Sequence, residues 1–135
     1  MAKTTVKNVI SSNNITSDPF SITSSFDITS DGTAGLDLTT GLAKIKLGAG
    51  DNTILTAADY TLTGENQLAY VYIKNFSSTT VATFTDAVAI KVGTAVLGYL
   101  AGGQSIILPY SADNNLILTA DTANTVVEYI LVHAG

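Results

Sequence analysis

Few residues in this chain have the type and spacing that catalysis or metal binding requires. His133 is the only histidine and no cysteine is present, so the ligand set of a typical zinc site is missing. Ser105 follows Gly103 and Gln104, but a nucleophile turn needs a G-x-S-x-G pattern before a helix, whereas an apolar strand pattern follows here. We therefore predict that the protein is not an enzyme and has no catalytic, cofactor-binding or metal-binding residues, with His133 at a solvent-facing strand end.

The acidic residues form neither a recognisable ligand set nor an acid/base pair. Asp27, Asp31 and Asp37 are spaced unlike a calcium loop, which needs oxygen ligands at alternate positions and a final glutamate. The Asp-Gly dipeptide that begins at Asp31 indicates a hairpin turn instead. Glu65 and Glu128 are the only glutamates. A glycosidase built from two aspartates stays open, but no spacing selects a pair.

Six tyrosines are the side chains best suited to contact a ligand. Aromatic rings on one face of a sheet can stack on sugars, whereas tyrosines at sheet margins more commonly pack the ring and hydrate the hydroxyl. Both interpretations stay open for this set, which comprises Tyr60, Tyr70, Tyr72, Tyr99, Tyr110 and Tyr129.

Composition restricts the partners. The 135 residues suit one domain, and charged residues make up 13%, against about 25% in average soluble proteins. The formal net charge is −5, and all six basic residues are lysines. Because nucleic acids and anionic membranes attract clustered Lys and Arg, we predict neither as a partner. The low charge agrees with Thr-rich strands that simply face water, but interface cores are depleted in charge, and we favour surfaces that other subunits cover.

The elements that must position these residues are β-strands. No 18-residue apolar run and no signal-peptide pattern occur, so we expect the chain to fold in a cytoplasm or to be exported by another route. Residues 3–10 read as a first strand that ends at the breaker Ser11-Ser12-Asn13-Asn14, and alternation follows at residues 20–29 and 42–47. The second half contains seven apolar runs, at residues 68–76, 80–85, 87–92, 95–100, 104–110, 115–120 and 125–132.

Turn signals recur about every 8–12 residues, which is typical of a sandwich or barrel. Residues 48–52, 113–115 and 121–124 are clear turns, and the first of them lacks the Lys-Ser/Thr of a phosphate loop. Residues 54–60 read as one helical turn or a loop. We predict an all-β fold, an antiparallel β-sandwich that is jelly-roll-like, with about eight strands in a single domain of residues 1–135. Immunoglobulin-like and up-and-down arrangements stay open.

The alternation also assigns faces to the strands. Ala69, Val71 and Ile73 share one face, whereas Tyr70 and Tyr72 lie on the other, so both faces are apolar or aromatic. This pattern predicts a central strand that is covered on both sides. Pro109 lacks a backbone N–H, which predicts a strand end or an edge strand at that position.

The second half of the chain resembles small virion proteins of tailed phages. The resemblance covers residues 68–135 and depends on the order of its strands and turns, not on a catalytic motif. A strand ending in Y-I-K-N (residues 72–75) precedes V-x-I-x-V-G (88–93). The later segments are a Gly-Gly turn (102–103), S-I-I-L-P (105–109), N-L-x-L-x-A-D (115–121) and V-E-Y-I-L-V (127–132).

The resemblance implies a structural role. Such proteins are head decoration (cement) proteins or small subunits of tails and fibres, found especially in phages of aquatic bacteria. It implies a capsid decoration protein on the virion surface, assembled in the host cytoplasm. Its expected partners are the major capsid protein and its own copies in a homotrimer. Residues 1–12 are expected to form an extended arm or an exchanged strand. The alternative is a tail- or fibre-associated module that binds a receptor or glycan.

Overall fold

The computed structural model describes residues 3–13, 20–29, 38–39, 41–57, 68–77, 86–111 and 113–134. Within these ranges the regular secondary structure is β-strand, and no helix is long and apolar enough to cross a membrane. The strands are β1 (Lys3–Ser12), β2 (Phe20–Thr29), β3 (Leu38–Thr39), β4 (Ala43–Leu47), β5 (Gly50–Leu55), β6 (Leu68–Asn75), β7 (Val88–Val92), β8 (Ala95–Leu100), β9 (Ser105–Tyr110), β10 (Leu116–Ala120) and β11 (Thr125–Ala134). The chain divides into two compact units, residues 1–37 with 134–135, and residues 38–133.

The first unit contains an antiparallel ribbon of β1 and β2. The register runs from Lys3 opposite Thr29 to Ser12 opposite Phe20, without a shift. The predicted end of the first strand at Ser11 is therefore wrong, because Ser11 and Ser12 continue the pairing. Backbone hydrogen bonds to a partner strand do not depend on the side chain, so serine can extend a strand that the sequence pattern alone would end.

The second unit is an antiparallel β-sandwich with the strand connections of a jelly roll. One sheet has the order β5-β10-β7-β8, and the other has the order β3-β11-β6-β9 with β4 also paired to β11. Taken from β4 to β11, the first strand pairs with the last, the second with the seventh, the third with the sixth and the fourth with the fifth. These nested pairs form one long hairpin that is rolled into two sheets, which confirms the predicted fold class.

The core lies between the two sheets of this unit. Alternate residues of β6, β10 and β11 point inward, as the period-two patterns predict. Val71 and Ile73 of one sheet and Leu116 and Leu118 of the other are fully buried. The remaining buried members of the cluster come from every strand between β4 and β11, namely Leu47, Leu55, Ala69, Val88, Ile90, Leu100, Leu108, Tyr110, Ala120, Val127 and Leu131.

Two sequence predictions about strand position are confirmed. Strand β6 lies between β11 and β9, so it is central in its sheet as predicted. Its outward side chains Tyr70 and Tyr72 are only half-buried, so the predicted covering of both faces is confirmed for the inner face alone. Pro109 lies one residue before the end of β9, which is the last strand of the same sheet. Proline suits an edge because no neighbour needs its missing N–H.

The turn at residues 48–52 is held by one side chain. Asn52 Nδ2 donates hydrogen bonds to the carbonyl oxygens of Gly48 and Gly50, and Asn52 Oδ1 accepts one from the Gly48 N–H. The chain turns there from β4 in one sheet to β5 in the other.

The segment predicted as a helical turn or a loop begins inside a strand. Ile54 and Leu55 are the last residues of β5, and Leu55 pairs with Leu116 of β10. The prediction is therefore wrong at these two positions, because pairing with a distant strand extends β5 beyond its local signal. Residues 58–60 of that segment lie outside the described residues, as do the predicted strand at residues 80–85 and the hairpin turn at residues 30–32.

Candidate interaction surfaces

The residues considered as catalytic groups occupy ordinary strand positions. Ser105 begins β9, opposite Lys74 of β6, and His133 lies opposite Leu38 near the end of β11. Asp27 lies in β2, where its carboxylate accepts a hydrogen bond of 2.7 Å from the Thr5 hydroxyl. Among the residues that the structure describes, no three acidic or histidine side chains form a group that could hold a metal ion.

The tyrosines are divided among several surfaces. Tyr70 and Tyr72 point outward from β6, and Tyr99 is 61% exposed on the outer face of the other sheet. Tyr110 is buried in the core, where its hydroxyl donates a 2.9 Å hydrogen bond to the carbonyl of Asn114. Tyr129 packs against the core. The described tyrosines therefore do not line one aromatic platform, and Tyr60 lies outside the described residues.

A charged cluster links three strands on the outer face of the β5-β10-β7-β8 sheet. Lys91 Nζ lies 2.8 Å from Asp51 Oδ1, and the Thr119 hydroxyl donates a hydrogen bond to the same oxygen. The hydrogen bond from Lys91 and then that from Thr119 hold the pKa of Asp51 below its usual value of 3.8. The cluster links three strands. Because the Asp51 side chain is 57% exposed, water screens the ion pair, and its contribution to the free energy of unfolding is small.

An aromatic and charged cluster lies on the outer face of the other sheet. The ammonium groups of Lys44 and Lys74 lie 4.3 Å and 4.8 Å from the ring centroid of Phe76, within cation–π range. Lys44 Nζ also lies 3.8 Å from Glu128. Burial, and to a smaller extent the charge of Glu128, raise the pKa of the Tyr72 hydroxyl above its usual value of 10.0.

Beside Phe76, the buried side chain of Asn75 holds the ends of several strands together. Its amide nitrogen donates hydrogen bonds to the carbonyls of Asp86 at 2.8 Å and Leu100 at 3.0 Å, and its amide oxygen accepts one from the Ser77 N–H at 2.9 Å. The side chain is 0% exposed. All three bonds are made to backbone groups, so Asn75 fixes the chain at the point where β6 ends and β7 and β8 pass nearby.

An open groove of about 270 Å³ adjoins this point, and we call it the Phe76 groove. It is lined by Phe76, Ser77 and Asp86 and by residues 122–126 of the β10–β11 turn. Asn124 has a φ of 71° there, and its N–H donates to the Leu47 carbonyl at 2.8 Å. An aromatic ring beside a carboxylate, hydroxyls and an amide is a lining that suits a small polar ligand.

Four of the exposed large apolar residues lie on two strands that are consecutive in the chain, β8 and β9. Among the strands that the structure describes, β8 is the last of one sheet and β9 the last of the other, and the short turn at residues 101–104 joins them. Val96, Leu97 and Tyr99 of β8 are 48%, 59% and 61% exposed, and Ile106 of β9 is 39% exposed. We call these four residues the apolar edge. Leu97 is an extra residue in the pairing with β7, where the register shifts between Ile90 and Lys91.

Sequence reasoning missed two of these features. Asn75 continues the inward alternation of Ala69, Val71 and Ile73, so its period-two position was the signal for a buried polar group. No comparable signal identifies the charged cluster, because Asp51 lies 40 residues from Lys91 and 68 from Thr119 in the sequence. Only the pairing of β5, β10 and β7 brings them together.

Comparison with known proteins leaves these surfaces without a family context. No protein-family model matches the chain, and no curated protein matches it.

Proposed function

We propose that the protein is a structural virion protein that decorates and stabilises the capsid of a tailed phage through protein–protein contacts. The observation that supports this proposal best is the apolar edge, which combines large exposed apolar side chains with the outermost strand of a sheet. Edge strands of this kind template pairing with other chains, and monomeric proteins usually protect them with charges, proline or a β-bulge. Strand β8 carries no charge and no proline, and its one such feature is the bulge at Leu97.

The magnitude of the contact fits a protein that acts in many copies. Burying an exposed apolar side chain fully contributes about 1.5–3 kcal/mol, so four residues that are roughly half exposed contribute about 1 kcal/mol each. Association itself costs about 4–15 kcal/mol, so the apolar edge alone supports only weak binding. A lattice that engages several copies at once multiplies such weak contacts through effective concentration.

The fold is compatible with this role. Jelly-roll sandwiches occur in viral capsid proteins and in lectins, and fold alone does not determine function. In the proposed particle, the protein lies on the capsid surface, contacts the major capsid protein and forms a homo-oligomer, with a trimer favoured. The extended arm or exchanged strand at residues 1–12 stays a prediction, since β1 pairs with β2 of its own chain in this structure.

The test is binding to undecorated capsids of the phage that encodes the protein. Purified protein at micromolar concentration is expected to co-sediment with the capsids and to saturate. A mass-spectrometric copy number in purified particles is expected to reach hundreds. Protein that stays in the supernatant, or a copy number of a few to a few dozen, would contradict decoration.

The second candidate function is a glycan-binding module of a tail or fibre, and the Phe76 groove favours it. The groove volume of about 270 Å³ lies just below the usual range for drug-sized ligands, which suits a ligand as small as a single sugar unit. On an array of host polysaccharides, Phe76→Ala is expected to abolish binding. Tyr99→Ala, which changes an exposed aromatic outside the groove, is the matched control. A blank array for the unchanged protein would reject this candidate.

A further inference from the structure

We infer that the apolar edge is the surface through which copies of this chain associate with one another. This inference rests on the proposed function and deepens it, since it assigns one side of the sandwich to self-association and leaves the others for the capsid. It depends on the charge, the position and the extent of this side.

The charge of this side favours a second copy. Residues 92–112, which include all of β8 and β9, contain no Asp, Glu, Lys or Arg, although the chain as a whole has a net charge of −5. Two negatively charged copies repel each other least where neither presents a charge. Lys91, which lies opposite Val96, is already paired with Asp51 at 2.8 Å. A basic or acidic partner therefore finds no opposite charge on β8 or β9 themselves, and electrostatic complementarity favours an equally uncharged surface.

The position of the residues allows them to meet their own copies. Val96 lies opposite Lys91 in the pairing with β7, and Tyr99 lies opposite Ala89, so both point to the outer face of the sheet. If two copies of β8 approach in antiparallel orientation about Leu97 and Gly98, Val96 of one copy faces Tyr99 of the other. Aromatic and β-branched residues are favourable cross-strand neighbours.

The extent of this side predicts weak association. Stable interfaces engage about 20–30 residues on each partner, whereas β8, β9 and their turn span residues 95–110, and several of those are buried in the core. We therefore expect an oligomer that dissociates in the micromolar range. Light scattering must follow the mass up to about 100 μM to detect an interface of this size.

The experiment compares two exposed leucines. Leu97→Lys places a charge at the apolar edge, where Leu97 is 59% exposed. Leu42→Lys is the control, because Leu42 is equally accessible, at 62% exposed, but lies just before β4. Strand β4 pairs with β11 and not with β8 or β9. The unchanged protein is expected to show a multiple of 14.0 kDa. Leu97→Lys is expected to weaken association at least ten-fold, and Leu42→Lys to leave it unchanged. Val96→Lys, at a second edge position, is expected to repeat the effect.

Three outcomes would overturn the inference. The unchanged protein could stay at 14.0 kDa across the range, both edge variants could keep the oligomer while remaining folded by circular dichroism, or Leu42→Lys could dissociate it equally. Capsid co-sedimentation separates this result from the proposed function. A monomer that binds capsids and loses binding on Leu97→Lys would refute self-association and assign the edge to the capsid. An oligomer that does not bind capsids would refute the decoration function and leave the self-association surface unaffected.

Discussion

Replacement of the buried Asn75 by alanine tests how the sandwich holds the ends of its strands. The substitution removes two hydrogen bonds to the carbonyls of Asp86 and Leu100 and one from the Ser77 N–H. The bond to Leu100 is fully buried, so leaving that carbonyl unpaired costs about 1–3 kcal/mol. The other two bonds are partly buried, and losing each costs about 0.5–1.5 kcal/mol because water can reach them.

The free energy of unfolding of Asn75→Ala is therefore expected to fall by about 3 kcal/mol. With a urea dependence of about 2 kcal/mol per molar, the unfolding midpoint should move by about 1.5 M. Asn52→Ala is the matched control, because Asn52 also bonds several backbone groups, but at an exposed turn. Water replaces those bonds, so we expect a loss of about 1 kcal/mol or less.

Asn75→Asp separates hydrogen bonding from volume. It keeps the shape of the side chain but replaces the donating amide nitrogen with an oxygen that faces two carbonyls. Burial raises the pKa of such a carboxyl, so its folded state favours the protonated form and the variant should be most stable at acidic pH. The reasoning fails if Asn75→Ala unfolds within about 1 kcal/mol of the unchanged protein, or if Asn52→Ala costs as much.

Three further predictions concern single contacts. Gly103 has a φ of 79° and open space where a Cβ atom would lie, so Gly103→Ala should cost about 1 kcal/mol of unfolding free energy through backbone strain alone. Gly98→Ala, equally unobstructed but without a positive φ, should be neutral or slightly stabilising by urea unfolding; equal losses would contradict this. Thr119→Val should raise the pKa of Asp51 toward 3.8 in an NMR titration, since it removes one of two hydrogen bonds that lower it. The stability that the lowered pKa of Asp51 contributes is present above pH 3.8 and is lost as the pH falls through the folded-state pKa. If the Asp51 midpoint in Thr119→Val equals that of the unchanged protein, the Thr119 hydrogen bond does not lower this pKa. The Tyr72 hydroxyl should ionise above 10.0, and the stability that its raised pKa contributes is lost as the pH rises through that pKa. Glu128→Gln should lower the pKa of Tyr72 only partly, because burial is the larger cause. A return of that pKa to 10.0 in an ultraviolet titration of Glu128→Gln would contradict the larger role of burial.

The sequence predicted most of the strands in the second half to within one or two residues. Apolar residues two apart, bounded by Gly, Asn, Asp or Ser, are local signals, and the run at residues 95–100 coincides with β8. The same alternation placed Val71 and Ile73 on one face of β6, and both are fully buried. Ser11 and Ser12 were wrongly excluded from β1, since their pairing with β2 depends on a partner strand and not on their own preference.

Most contacts at the candidate surfaces could not be predicted from the sequence. The six tyrosines were candidates either for sugar stacking or for packing at sheet margins, but Tyr110 is buried and Tyr99 lies on a different sheet from Tyr72. Phe76 continues the outward alternation of Tyr72, but the two lysines over its ring include Lys44, which is 32 positions away in the chain. Such contacts depend on which strands become neighbours.

The sequence by itself determined that the protein is built of short antiparallel strands around an apolar core, and that charge is scarce on its surface. Strand periodicity and turn residues act over a few positions, so they can be read without knowledge of the fold. The tertiary structure alone decided that β8 and β9 are the outermost of the described strands in the two sheets, and that Val96, Leu97, Tyr99 and Ile106 of this uncharged stretch of sequence are exposed. The physical reason is that strand order is set by long-range hydrogen bonding and by packing of both sheets on one core, and many orders are compatible with the same local pattern.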